Sequence, residues 1–258
     1  MSTNNLNISA IPAYDDNYIW LITNGGKACA VVDPGDEDPV LEVLKKHGLS
    51  LKYILLTHHH PDHTGGVADL LEQYDAKVFG PDDNRIRQVH QLCREGDHIE
   101  LPELDAQFSV LEVPAHTRSH IAFYGEGMLF PGDTLFSVGC GRFFEGTADD
   151  MQSSLDKLAS LPGETSVYCA HEYTQANCRF AMEVEPQNKA LQERTRQVAA
   201  LRQAGRNTLP TTLGAELACN PFMRTRDDAV VQAARKIDPS ALPGASTMAI
   251  IRAWKDRF

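Results

Sequence analysis

The stretch Lys52-Tyr53-Ile54-Leu55-Leu56-Thr57, followed by His58-His59-His60-Pro61-Asp62-His63-Thr64-Gly65-Gly66, joins an apolar, β-branched run to a dense cluster of imidazole and carboxylate donors. The first part reads as a buried strand, and Thr64-Gly65-Gly66 opens a helix-like segment. His58, His60, Asp62 and His63 therefore fall on a strand-to-helix loop, in the pattern H-x-H-x-D-H. Donors packed this closely serve to hold metal. A solvated histidine tract would be of low complexity; this one is interior and framed on both sides. Loops at the ends of buried strands are where α/β folds present chemistry, because rigid neighbours hold the side chains still.

Four ligands in six residues exceed what one four-coordinate ion takes, so two ions are expected, with further donors supplied from elsewhere in the chain. Val110-Leu111-Glu112-Val113-Pro114-Ala115 reads as a strand leading into His116-Thr117-Arg118-Ser119-His120. Met128 to Gly132 leads in the same way into Asp133-Thr134, and Ser166 to Ala170 into His171-Glu172-Tyr173. Four strand ends delivering four sets of polar donors predict one site. Two divalent ions about 3.5–4 Å apart lower the pKa of water from about 16 toward 7, so no serine or cysteine nucleophile is needed. A thioester suits such a site. Its leaving thiolate has a conjugate acid of pKa about 8.5 and departs with little protonation, whereas an amide nitrogen requires a general acid.

The 258 residues, 42% of them hydrophobic, suffice for a large core in one broad α/β domain with a smaller appendage. A net charge of −11, from 24 Lys and Arg against 35 Asp and Glu, excludes nonspecific nucleic-acid binding, since no basic excess exists to displace phosphate counterions. The first ten residues have neither a basic nor an apolar signal region, and no run reaches transmembrane length; a cytoplasmic protein without membrane contact is expected. Six cysteines, at 29, 93, 140, 169, 178 and 219, lie far apart with no C-x-x-C and read as reduced structural thiols.

Short strands are expected over Asn7 to Ala13, Tyr18 to Thr23 and Ala28 to Asp33, with Asn24-Gly25-Gly26 as a hairpin turn and Asp33-Pro34-Gly35 ending the meander. Helices are expected over Glu37 to Lys46, Val67 to Tyr74 and Ala148 to Leu161, with a strand over Ala76 to Phe79. From about Tyr173 the texture turns to Gln, Arg, Glu and Ala at helical spacing, notably Asn188 to Arg202, which predicts a helical C-terminal portion.

The order H-x-H-x-D-H, His116, Asp133, His171 resembles the metallo-β-lactamase superfamily. Within it, Gly132-Asp-Thr-Leu-Phe136, Gly139-Cys-Gly-Arg-Phe-Phe-Glu-Gly-Thr147, His171-Glu-Tyr173 and Asn220-Pro-Phe-Met-Arg224 resemble the hydroxyacylglutathione hydrolases, glyoxalase II, over nearly the whole chain. The superfamily motif is specific for metal, and the later motifs narrow the substrate. The resemblance implies a four-layer αβ/βα sandwich with a smaller helical C-terminal domain. It divides the chain into a dinuclear metal domain, 1–172, and a helical glutathione-binding domain, 173–258. It puts one ion on His58, His60 and His116 and the other on Asp62, His63 and His171, with Asp133 bridging both; Asp62 and Asp133 are the catalytic carboxylates. Zinc is the first expectation for both ions, with iron and manganese as alternatives. Arg142, Tyr173, Arg252 and Lys255 are implied on the substrate side, and the i, i+3 spacing puts the last two on one helical face.

The implied reaction is hydrolysis of S-D-lactoylglutathione to D-lactate and glutathione by a monomer, the second step of methylglyoxal detoxification. A lactonase or β-lactamase, a glutathione persulfide dioxygenase on the same fold, and a metal-dependent binding protein are the competing readings. His59 is expected to point away from the metals, His120 to orient a ligand, and His47, His90 and His98 to be surface residues. One departure stands out: Arg142 and Phe144 replace the lysine and tyrosine frequent in the family, so a tyrosine hydroxyl is absent.

Overall fold

The computed structural model describes residues 6–258. These fall into two compact units, the first running up to Glu112 and including Ser119–Gly132, the second comprising Val113–Arg118 and Asp133–Phe258.

The first unit opens with β1 (Asn7–Ala13), β2 (Asn17–Thr23) and β3 (Ala28–Val32), an antiparallel meander. Helix α1 (Glu37–His47) follows. Asp36 caps it by accepting from the Asp38 N–H, acidic Glu37 and Asp38 lie in its first turn, and Lys45, Lys46 and His47 lie in its last. Gly48 ends it at a left-handed φ of 63°. The crossover lets β4 (Ser50–Leu55) run parallel to β3. After the short α2 (Pro61–Thr64) and α3 (Val67–Gln73) come β5 (Lys77–Pro81) and β6 (Gln91–Cys93), also parallel, completing a six-stranded sheet in the order β1 to β6. Ile19, Leu21, Val31, Ile54 and Val78 pack with Val40 and Leu44 of α1 and Val67 and Leu70 of α3. Trp20 and Ile22, which face the other way by strand alternation, are buried as well, so the sheet is covered on both faces. Each such aliphatic side chain contributes about 1.5–3 kcal/mol by burial. Strands β7 (His98–Leu101), β8 (Ala106–Glu112), β9 (Ile121–Gly125) and β10 (Met128–Phe130) pair antiparallel in chain order.

The second unit contains the hairpin of β11 (Leu135–Phe136) and β12 (Gly139–Cys140). Helix α4 (Ala148–Ala159) starts at a reciprocal capping box between Thr147 and Asp150. Beyond β13 (Ser166–Val167), the chain is helical as its composition predicts: α5 (Thr174–Val184), α6 (Lys189–Gln203), α7 (Leu213–Cys219) after the two-residue β14 (Thr211–Thr212), α8 (Asp228–Arg235) and α9 (Ala245–Lys255). Asn188 and Thr212 cap α6 and α7 through their side chains, and Val138, Cys178, Ala181, Leu191, Val198 and Cys219 form a core cluster here. All six cysteines are buried free thiols, and no helix among the described residues is long and apolar enough to cross a membrane.

Three local expectations differ from the structure. Asp62 and His63 lie on a one-turn helix rather than on open loop, because Pro61 occupies its first position with φ preset and Thr64 Oγ1 donates back to the His60 carbonyl. The strand before His116 ends at Glu112, since Pro114 has no N–H to donate to a ladder. The strand before His171 is only Ser166–Val167, so His171 sits beyond it, four residues farther on.

Candidate metal centre

In the first unit, β4 ends at Leu55 and delivers Thr57 and His58, both fully buried. Asp33, at the end of β3 and at a left-handed φ of 52°, organises them. Its Oδ1 accepts the Thr57 N–H at 2.8 Å, and its Oδ2 accepts the Thr57 hydroxyl at 2.7 Å and lies 3.0 Å from His63 Nδ1. Thr57 Oγ1 in turn lies 3.0 Å from His58 Nδ1. A hydroxyl that donates to Asp33 can accept from His58, which fixes the His58 proton on Nδ1 and leaves Nε2 as a lone pair; the carboxylate does the same for His63. His58 Nε2 stands 3.1 Å from His60 Nδ1, and His63 Nε2 stands 3.4 Å from Asp62 Oδ2. Asn17 holds that same carboxylate, its Nδ2 donating to Asp62 Oδ2 at 3.0 Å.

His120 is fully buried, and its ring stacks on His58 at 4.6 Å and 15°, so it supports that residue by packing while its Nδ1 lies 3.1 Å from the Ile121 carbonyl oxygen. His59 turns to Asp83, 3.6 Å away. His47, His90 and His98 are exposed. Gly132, just before Asp133, has φ +49°, and a Cβ there would lie 2.4 Å from Thr57 Oγ1 and 2.7 Å from His120 Cε1. Both conformation and space demand glycine.

In the second unit, Asp133 is 7% exposed; its Oδ2 lies 3.3 Å from His116 Nε2 and its Oδ1 3.4 Å from His171 Nε2. His116 Nδ1 bonds the Arg142 carbonyl at 3.0 Å, leaving Nε2 for the aspartate side. The His171 ring stacks on Tyr173 at 4.7 Å and 5°. Exposed Phe144 lies 5.2 Å from the His116 ring.

Donors bound to one ion at about 2.0–2.2 Å in tetrahedral array lie roughly 3.3–3.6 Å apart. Three of the four donor pairs of the two units, at 3.4, 3.3 and 3.4 Å, fit that spacing, and the fourth, His58 to His60 at 3.1 Å, is slightly shorter. Five imidazoles and two carboxylates with no thiolate fit zinc, iron or manganese.

Arg142, Arg252 and Lys255, the basic residues expected on the substrate side, lie in the second unit. Arg252 is 6% exposed, donates through Nη1 to the Cys140 carbonyl at 2.8 Å and through Nη2 to Asp256 at 3.1 Å, and sits over the Phe222 ring. Arg142, an exposed residue, donates to the same Asp256 oxygen at 3.1 Å. Lys255 bonds the Asn177 side-chain oxygen. Burial, with repulsion from Arg252, pulls its pKa down to about 7. Arg252 and Lys255 thus share a face as the spacing predicts, but that face is largely inside the protein. Sequence reasoning missed Asp33 and Asn17. Asp33 was readable only as a turn residue in Asp-Pro-Gly, and its position after a buried strand was the available signal.

The metallo-beta-lactamase superfamily model matches residues 14–87 and 93–171, and the model of the hydroxyacylglutathione hydrolase C-terminus matches 172–258. A hydroxyacylglutathione hydrolase of Vibrio cholerae serotype O1 is 50% identical over 254 residues, covering 98% of this chain and 100% of the relative. ETHE1 from Myxococcus xanthus shares the fold, with a TM-score of 0.66 at 23% identity over 97% of each chain. The crystal structure of TTHA1623 in a di-iron-bound form has a TM-score of 0.59 at 27% identity, over 84% of this chain and 99% of that one. The expected metallo-β-lactamase fold with a helical C-terminal region is therefore the fold of this protein, and the chain belongs to the metallo-β-lactamase superfamily and, within it, to the hydroxyacylglutathione hydrolase family.

Proposed function

We propose that this protein hydrolyses S-D-lactoylglutathione and related 2-hydroxyacylglutathiones to the hydroxy acid and glutathione at a dinuclear metal centre. The observation that carries the reading is Asp133, whose two oxygens each stand at donor spacing from a different histidine. The glutathione thioester follows from the family, and the di-iron form of TTHA1623 supports two ions. One ion is assigned to His58, His60 and His116, the other to Asp62, His63 and His171, with Asp133 shared. Zinc is the proposed metal, with iron or manganese as alternatives.

When bound, such ions activate water and polarise a carbonyl oxygen. The chain's own part is to orient and to bind. Asp33 fixes the tautomer of His58 through Thr57 and that of His63 directly, and Asn17 steadies Asp62. Asp62 and Asp133 offset part of the positive charge and orient the attacking water. Tyr173 packs flat on His171 on the substrate side. Arg142, Arg252 and Lys255 are proposed to receive the glutathione carboxylates, Arg through forked contacts and Lys as a point charge. The proposal divides the chain at 172/173 into metal and glutathione-binding domains and places it as a cytoplasmic monomer in methylglyoxal removal.

The test is thiol release from S-D-lactoylglutathione, followed with a thiol reagent while an oxygen electrode records the same sample. Stoichiometric glutathione and D-lactate without oxygen uptake is the expected result. Oxygen consumption on glutathione persulfide, or cleavage of lactones or β-lactams without thioester turnover, would overturn it.

A further inference from the structure

The hairpin of β11 and β12 governs more of its unit's donor set than its own aspartate. Asp133-Thr134 leads into one arm and Gly141-Arg142 leaves the other, with a Cβ on Gly141 only 2.0 Å from the Asp133 carbonyl oxygen. The arms are thus as close as backbone permits. At the far end the Arg142 carbonyl bonds His116 Nδ1, and on the first arm the Phe136 ring meets His171 edge-on at 5.7 Å. The shape of this one hairpin therefore bears on Asp133, His116 and His171 together.

Its tip is strained. Val138, a β-branched residue, has φ +59°, a conformation that persists only where the surroundings over-determine it. The surroundings are four polar side chains from the helical region. Glu216 of α7, fully buried, accepts the Val138 N–H at 2.7 Å and the Ser137 hydroxyl at 2.8 Å. It also accepts the Thr211 hydroxyl at 2.9 Å and the Asn220 amide at 3.0 Å. Asn220 Nδ2 reaches the carbonyls of Phe136 and Gly139, at 3.2 and 3.0 Å. Asn177 of α5 donates to the Ser137 carbonyl at 2.9 Å, and Arg194 of α6 donates to Ser137 Oγ at 3.1 Å. Each residue from Phe136 to Gly139 is thereby tied to a helix or to the segment just after one.

We propose that Glu216 and Asn220 are positioning residues for the metal centre: they clamp the hairpin tip so that Asp133 and the Arg142 carbonyl meet their histidine partners. The inference rests on Asp133 being the shared ligand. It gives Asn220, the first residue of the Asn220-Pro-Phe-Met-Arg224 run, a part in the chemistry, exercised through the hairpin and without contact to substrate. Burial raises the Glu216 pKa, and its four donors oppose that rise.

The experiment uses cobalt(II)-loaded protein. Glu216→Met and Asn220→Ala are expected to lower kcat at least tenfold with KM changed less than about threefold, to weaken binding of one cobalt equivalent at least tenfold, and to alter the visible d–d absorption. Glu216→Gln should restore all three to within about threefold, because the Ser137 and Thr211 hydroxyls can turn to accept from the amide. Arg224→Gln, which breaks pairing with Glu185 and Asp227 in the same helical region, is the control and should lower the melting temperature alone. If Glu216→Met does not fold, Ser137→Ala is read by the same measurements and should move them in the same direction. Variants that melt lower yet keep kcat and the cobalt spectrum would overturn the proposal. A wild type that binds two cobalt ions but cleaves no thioester would refute the functional reading and leave the spectroscopic test standing; one that binds a single ion would overturn both.

Discussion

Asp133 divides its carboxylate between two histidines, Oδ2 lying 3.3 Å from His116 Nε2 and Oδ1 3.4 Å from His171 Nε2. A buried carboxylate between two imidazole nitrogens is costly unless cationic charge offsets it. Because each oxygen addresses a different partner, one substitution acts on both contacts.

Asp33 takes the Thr57 hydroxyl and faces His63 Nδ1 with a single oxygen, Oδ2. Asp33→Asn can keep only part of this acceptance, and metal affinity should fall about 10–100-fold. Competition against a chelator measures it; wild-type affinity would show that the tautomers are fixed by other groups.

His58→Ala should lose metal, whereas His59→Ala, whose ring turns toward Asp83, should retain both ions. Elemental analysis decides. Equal losses in the two variants would mean that the ligand assignment has chosen the wrong histidine.

Lys255→Met and Arg252→Ala should raise KM for lactoylglutathione with metal content unchanged and kcat much less affected, since contacts remote from the scissile bond are about equal in ground and transition states. Each charge-assisted contact is worth about 1.5–3 kcal/mol, roughly ten- to a hundredfold in kcat/KM. Arg252→Ala should also lower the melting temperature, because Arg252 holds the Cys140 carbonyl and Asp256. Added salt should weaken binding by the wild type more than by the double variant. A thioester without the glutathione carboxylates should be cleaved equally by all; parallel losses on both substrates would reduce the basic pair to a structural role.

The Lys255 pKa of about 7 makes the same clamp depend on pH. The shift is downward, so the ammonium is fully present below 7 and its charge is lost as pH rises through 7, where an exposed lysine would still be protonated. KM should be flat on the acid side and climb above about pH 7, and Lys255→Met should abolish the climb. Identical profiles for the two proteins would remove Lys255 from substrate binding.

The core strands and the ligand run were legible because hydrophobic runs and donor density are local signals. Asn7–Ala13 matched to the residue, and Ala28–Val32 to within one. The one-turn helix at Pro61–Thr64 was hidden by its brevity, which leaves no periodicity to read. Asp33 and Asn17 escaped for a different reason: each acts across the fold, on Thr57 and Asp62, and nothing in their own neighbourhood marks a polar residue as an orienting group. The C-terminal basic pair was found by resemblance, but its burial depends on Phe222 and Asn177, thirty residues or more away in sequence for the first and farther for the second, and no local pattern carries that.

If Asp133 joins two ions in one hydrolytic centre, turnover must follow the occupancy of both. Metal-stripped protein should be titrated with zinc while glutathione release from S-D-lactoylglutathione is followed, with Asp133→Ala in parallel. Activity should rise until two equivalents are bound and then level off, and Asp133→Ala should reach neither that occupancy nor measurable turnover. A plateau at one equivalent, or full activity in Asp133→Ala with two ions retained, would contradict the account.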